Sequence, residues 1–346
     1  MAFISKKKDI YPIDEHLREY LDHYARLITL PINYEDLHRY NNSIPQYDSE
    51  GKDTLWETVF FPQSDMEEVQ YALKKIYALM KADGDLSVME HLFIDRVDLC
   101  TYGNTQPFRV RIVNRINDNF DYFYIKKADA SRIYGLELEH LLSPNKMDYL
   151  VHKDTLIEEH IVGIPAEQFI KTHMKNPQLN ETRLAKEFVK FNERCFIRLL
   201  GDMHSSNFVI DITPDFEEVS YRLRPIDFDQ QSYEGRKAIY MPKYYKQNYP
   251  IIQLGIDKMT TETMRQYQRE ERTLTANRIK VEHARVDHLM TAMKKSRIAP
   301  DKNVYSLRQE LANFYKEPEF LQCVNMGSIV ALSLEMLDRK PDLYRE

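Results

Sequence analysis

Glycine is scarce in this chain, 9 in 346 residues, so it has no long glycine-rich loop of the kind that wraps phosphates with bare backbone. Cysteine is scarcer: Cys100, Cys195 and Cys323 lie far apart, form no Cys-x-x-Cys and leave an odd thiol, which excludes a disulfide framework and suits a reducing compartment. Positive charge is not in excess either. Lys and Arg number 48 against 54 Asp and Glu, a net charge of -6, and the overall basic footprint of a nucleic-acid binder is absent, a local basic patch aside. No run of about 18 apolar residues could span a bilayer. The opening MAFISKKKDI has no apolar core of the signal-peptide type. The expectation is a cytoplasmic protein that engages neither membrane nor nucleic acid.

What is present is the composition of a folded globular chain, 43% hydrophobic and 29% charged. A prior of about 150 residues per domain gives two units. Residues 13–30 set Leu17, Leu21, Tyr24 and Leu27 at helical spacing, and 65–82 do so with Val69, Leu73, Ile76 and Leu79. Between them, the Asn, Ser, Pro and Gly of 41–53 predict a loop. From about residue 96, stretches rich in Val, Ile, Phe and Tyr, broken by YGNTQP and NDN, predict three strands. A short helix over 131–142 follows, with Ser131 as its cap, then two strands in 147–162 before Gly163 and Pro165. Helix 181–200 carries Leu184, Phe188, Phe191, Cys195 and Leu199 on one stripe, and two strands and further helices complete the chain. The predicted class is α+β and bilobal: a helical N-terminal extension over 1–95, a small antiparallel sheet with one helix over 96–163, and a mainly helical part over 164–346.

Chemistry concentrates in two short stretches. GDMHSSNF (201–208) places Asp202 and Asn207 in a polar loop between apolar segments, and PIDFD (225–229) ends a strand on Asp227, with Asp229 two residues on. Taken singly these are common turn and strand-end residues. Upstream, YFYIKK presents Lys126 and Lys127 on opposite faces of a strand. The next helix offers Glu137 and Glu139; Glu137 has Leu141 one turn deeper and is preferred.

The order YIKK, GLELEHLL, LIEEHIVGIP, LLGDMHSSNFVI, PIDFD resembles the protein-kinase-like superfamily, most closely its atypical branch of aminoglycoside and choline phosphotransferases and HipA-type kinases. The likeness covers roughly residues 96–235, and agreement across successive elements weighs more than any one motif. It implies a protein-kinase-like fold in which Asp202 is the catalytic base, Asn207 and Asp227 bind Mg²⁺, with Asp229 as the alternative, and Lys126 paired with Glu137 positions the phosphates of ATP. The family's small apolar residues leading into one Lys favour Lys126 over Lys127. LIEEHIV would be the hinge, its backbone at Glu159, His160 and Ile161 receiving the adenine. Two departures stand out: Asp-Phe-Asp replaces Asp-Phe-Gly, and the expected phosphate loop is reduced to TYGNTQPF with the single Gly103.

The resulting expectation is an ATP- and Mg²⁺-dependent phosphotransferase acting on a hydroxyl of a small molecule. The alternatives are a catalytically silent kinase-like binding module whose N-terminal helices dock a protein partner, a protein kinase of HipA type, and nucleotidyl transfer on the same fold. His204 is read as packing its own loop rather than binding metal, and His283 with Asp287 as a solvated helix face, as are the basic stretches 269–280 and 293–297. Tyr240, Tyr244, Tyr245 and Tyr249 are equally suited to walling an acceptor site and to packing the last helices.

Overall fold

The computed structural model of this chain describes residues 8–102, 105–214, 219–341 and 343. In chain order its main elements are α1 (Glu15–His23), β1 (Asn42–Tyr47), β2 (Asp53–Phe60), α2 (Gln63–Lys81), β3 (Leu92–Cys100), β4 (Phe108–Asn114), β5 (Phe120–Lys127), α3 (Ala130–Leu142), β6 (Tyr149–His152), β7 (Thr155–Glu159), β8 (Ile164–Pro165), α4 (Ala166–Thr172), α5 (Glu181–Arg198), β9 (Phe208–Pro214), β10 (Val219–Pro225), α6 (Tyr249–Lys258), α7 (Thr261–Val281), α8 (His283–Met293), α9 (Asp301–Tyr315) and α10 (Met326–Arg339). The chain is α+β, with a seven-stranded antiparallel sheet and a helical C-terminal part. No helix among the described residues is long and apolar enough to cross a membrane.

Two compact units divide the chain, one formed by Pro12–Asp129 with Met147–His160, the other by residues 8–11, Ala130–Lys146 and Ile161 onward. The sheet unit has strand order β1-β2-β3-β4-β5-β7-β6. Alternation decides its faces: Phe108, Val110 and Ile112 of β4 and Phe123 and Ile125 of β5 are buried in one core with Val69, Leu73 and Ile76 of α2. Each side chain in such a core contributes about 1.5–3 kcal/mol relative to exposure. The intervening Arg109, Tyr122, Tyr124 and Lys126 fall on the other face.

The loop expected over 41–53 is instead edge strand β1, a tight turn and the start of β2. Asp48 Oδ1 accepts from the amides of Glu50 and Lys52, and Gly51 takes φ +77°. Strand β1 is largely exposed on both faces and carries Pro45, which an edge tolerates, so it lacks the alternation that marks a strand. Residues 8–95 thus hold α2 as expected and α1, which stops at His23 short of the expected 13–30 so that Leu27 instead bridges Val151, together with β1, β2 and the start of β3. The three strands, the helix and the two further strands expected over 96–162 are present as β3 to β7.

The helical unit is organised around α5, whose cap Asn180 accepts from the Arg183 amide. Its expected stripe is buried, and so are Glu193, Arg194 and Arg198. Arg198 pairs with Glu139 of α3, which also accepts from Ser143 Oγ and Asn145 Nδ2 at 2.7 Å each. Arg272 of α7 meets Glu193 at 3.2 Å. The helices are therefore locked by buried charge pairs as well as by apolar packing.

Helix α3 also departs from expectation at its start. It begins at Ala130, so Ser131 does not cap it; Ser131 Oγ donates to the Gln231 carbonyl at 2.6 Å. At the other end of the chain, Gly327 lets α10 cross α8: a Cβ there would overlap the Met293 carbonyl. Gly327→Ala is expected to cost about 2–3 kcal/mol in urea denaturation. A loss below about 0.5 kcal/mol would show that the crossing relaxes freely.

Candidate functional site

Helix α5 ends on Leu199 in the left-handed conformation, φ +54°. The chain then makes an isolated bridge from Leu200 to Gln231, and the Gly201 amide donates to the Gln230 carbonyl at 3.1 Å. A Cβ on Gly201 would sit 3.0 Å from that carbonyl oxygen and from Ile239 Cγ2, so this close approach favours glycine. The following residue, Asp202, has φ +60°. A non-glycine residue held there is a strained position of the kind that collects at functional sites.

The loop is pinned at both ends and in the middle. The Asp202 amide donates to the Ile239 carbonyl at 3.2 Å, and Asn207 Nδ2 donates to the Asp202 carbonyl at 2.9 Å. Asn248 Nδ2 bonds the carbonyls of Met203 and Pro242 at 2.9 and 2.8 Å. From α4, the Glu167 amide reaches the Ser205 carbonyl and its carboxylate accepts from Ser206 Oγ at 3.0 Å. The Ile226 amide donates to the Asn207 carbonyl at 3.0 Å, which couples the loop to the strand end that delivers Asp227.

Charge accumulates here. Burial pushes the Asp202 carboxyl up to about 7, and the negative charges of Asp227, Glu234 and Asp229 push the same way. Glu234, itself raised by burial, was not singled out in the sequence. Its signal was only its place five residues beyond Asp229, in a segment that must return toward the loop. The counter-charge is Arg132 of α3, 2% exposed, whose Nη1 lies 2.8 Å from Asp227 Oδ1 and 2.6 Å from Asp229 Oδ1.

His204 behaves as expected. Burial lowers its pKa, its Nδ1 accepts from the Ser206 amide at 3.3 Å, and its Nε2 lies 3.9 Å from Asp202 Oδ2. Tyr240 and Tyr245 are packing residues with hydroxyls donating to the carbonyls of Glu234 and Ile239, while Tyr244 and Tyr249 are exposed.

The remaining predicted residues divide between the two units. In the sheet unit, buried Lys126 has Nζ 2.7 Å from Glu158 Oε2, whereas half-exposed Lys127 is 4.0 Å from Glu35. No local signal marks Glu158 in the sequence; the strand register pairs Lys126 with Leu156 and so puts residue 158 diagonally beside it on the same face. Glu159 binds Lys81 at 2.6 Å, and His160 Nδ1 is 3.2 Å from the Tyr124 hydroxyl. The chain leaves the sheet unit after His160, so buried Ile161 opens the helical unit at the predicted hinge segment. Gly103 lies outside the described residues. In the helical unit, Glu137 is held by Arg285 of α8 at 2.8 and 3.1 Å, and Glu139 by Arg198. The structure therefore gives Lys126 and Glu137 each a strong partner in its own unit that the sequence did not point to, and brings Asp202, Asn207 and Asp227 together in one.

Among the described residues no group of three or more His, Cys, Asp or Glu is arranged to hold a metal ion by itself. Mg²⁺ does not need such a cage, since it is usually held by one or two carboxylates with substrate phosphates and water. The oxygens of Asn207, Asp227 and Asp229 are hard donors of the right kind.

Neither a family model nor a curated protein matches the chain. Among solved structures it is similar to titin kinase with its flanking domains, at 13% identity over 70% of this chain and 54% of that one, with a TM-score of 0.28. It is also similar to the autoinhibited serine kinase domain of the giant muscle protein titin, at 12% identity over 70% of this chain and 92% of that one, again with a TM-score of 0.28. The chain spans about half the length of the first. Superpositions of that quality carry no argument, and the functional reading rests on the loop itself.

Proposed function

We propose that this chain is a kinase-like phosphotransferase that uses ATP and Mg²⁺ to phosphorylate a hydroxyl, most simply on a small molecule. The observation that carries the reading is the Asp202 loop: a carboxylate in a strained backbone position, its proton affinity raised to about 7, tied through its own carbonyl to Asn207. A base poised near neutral pH accepts a hydroxyl proton and can release it again. Asp202 would orient the acceptor hydroxyl and take its proton. Asn207 Oδ1 and the Asp227 carboxylate would hold Mg²⁺, with Asp229 in support. The metal, when bound, neutralises charge on the phosphates.

A silent binding module is the second reading. It is favoured by the Arg132 bridge, which already supplies a cation to both metal carboxylates.

Thermal-shift titration with ATP separates the two. A ligand that binds only the folded state at a hundred times its Kd stabilises by about 2.7 kcal/mol. A shift of that order is expected only with Mg²⁺ present, lost in Asp227→Ala and kept in Asp202→Asn. No shift at saturating nucleotide would sink the enzyme reading. If Asp229→Ala lost it and Asp227→Ala did not, the metal carboxylate would be Asp229.

A further inference from the structure

Helix α3 is stapled to the 227–231 segment at three points in succession. Ser131 Oγ bonds the Gln231 carbonyl, Arg132 bridges Asp227 and Asp229, and Gly135 allows contact so close that a Cβ would lie 3.1 Å from Cβ atoms of Phe228 and Gln231. The bridge is specific in form. One nitrogen, Nη1, serves Oδ1 of both carboxylates, and Asp227 Oδ1 also accepts the Asp229 amide at 3.0 Å. The carboxylate of Asp227 is thus oriented through that oxygen. A guanidinium does not lose its charge in a protein, and Arg132 is almost wholly buried, so the positive charge is a permanent part of the site.

We infer that Arg132 is a resident counter-cation and positioning residue that keeps this carboxylate pair from holding a divalent metal alone, so that the metal enters only together with a polyphosphate. The inference rests on the phosphotransferase reading. A lone divalent cation brought to Asp227, whose side chain is about a third exposed, meets a fixed and buried guanidinium 2.8 Å from the same carboxylate, and like charges at so short a distance repel. A metal that arrives with phosphates carries compensating negative charge, and its approach is no longer opposed. The same bridge orients Asp227 before the metal comes. Arg132 therefore links metal binding to nucleotide binding, and the linkage must be reciprocal.

The test is Mn²⁺ binding to the full chain, read by the free-ion electron paramagnetic resonance signal, with and without ATP. In the native protein, Mn²⁺ without nucleotide is expected to bind in the millimolar range, and ATP is expected to tighten it at least tenfold. Arg132→Gln should bind Mn²⁺ without nucleotide at least tenfold more tightly than the native chain, with a correspondingly smaller effect of ATP, and Asp227→Asn in that background should abolish the gain. Arg132→Lys keeps the charge and should behave as the native chain does, which guards against a general folding defect in the Gln variant. Micromolar Mn²⁺ binding by the native chain without nucleotide, or equal or weaker binding by Arg132→Gln with Arg132→Lys intact, overturns the inference. If ATP fails to promote Mn²⁺ binding in the native chain while Arg132→Gln still gains it, the counter-charge assignment stands and the phosphotransferase reading falls.

Discussion

Asp202→Asn is expected to lower phosphoryl transfer by about 10²–10⁴-fold and, at the same time, to make the protein more stable at pH 8. The two effects share one cause. The folded protein binds the Asp202 proton up to about pH 7, whereas the unfolded chain releases it near 3.8. Between those values the folded state carries more protons, so stability falls as pH rises. Above pH 7 the native chain holds a carboxylate in partial burial beside Asp227, Glu234 and Asp229, and Asn removes that charge. The full difference corresponds to about 4 kcal/mol at about 1.36 kcal/mol per pH unit. With a side chain 23% exposed, screening by solvent reduces the expected gain to about 1–2 kcal/mol. Urea denaturation at pH 5 and pH 8 reads it: the advantage of the variant should already be present at pH 5, which lies above the unfolded value, and should be clearly larger at pH 8. On the phosphotransferase reading, transfer by the native protein should rise with pH through about 7. A variant that is less stable at pH 8 than the native protein would remove the charge-accumulation account of the loop.

The largest effect on stability is expected from Arg198→Leu. Arg198 and Glu139 are both buried, joining α5 to α3, and Arg198 Nε also bonds the Arg194 carbonyl at 3.0 Å. Burial pushes the Glu139 carboxyl up, and the Arg198 charge with the bonds from Ser143 and Asn145 more than offsets it, so the acid is held below its usual range. Removing the cation leaves a buried, uncompensated carboxylate, which typically costs about 3–5 kcal/mol. The pH dependence has a definite sign. In the native chain Glu139 contributes stability above the ordinary glutamate range that is lost as pH falls through its lowered pKa. In the variant the carboxyl takes up a proton more readily, so the deficit should be smallest in acid and grow toward pH 8. Replacing Glu139 by Leu as well should recover about half, because the charge is then gone and only the acceptor for Ser143 and Asn145 is missing. A loss under about 1 kcal/mol for Arg198→Leu at pH 8 would mean that the pair contributes little.

What was legible in the sequence is what local chemistry controls. The period of Val69, Leu73 and Ile76 set α2, the apolar stripe of 181–200 set α5, and the β-rich stretches after residue 96 set β3 to β5. The spacing of Asp202 and Asn207 was also readable, because one loop with one fixed separation carries both groups. Strand β1 was not readable: an edge strand exposed on both faces has no alternation to report, so its Asn, Ser and Pro read as a loop. Ser131 shows the other limit. A serine near a helix start is a cap by local rule, yet its hydroxyl is taken by the Gln231 carbonyl, 100 residues away.

The sequence by itself determined the helix and strand periods, the α+β class and the loop that sets the Asp202 carboxylate near the Asn207 carboxamide. Only the tertiary structure decided which charges meet. Glu158 beside Lys126 depends on strand register, and Arg285 on Glu137, Arg198 on Glu139 and Arg132 between Asp227 and Asp229 depend on where distant helices pack. Coulomb interactions follow distance in space and the exclusion of water, and neither quantity is encoded in residue spacing.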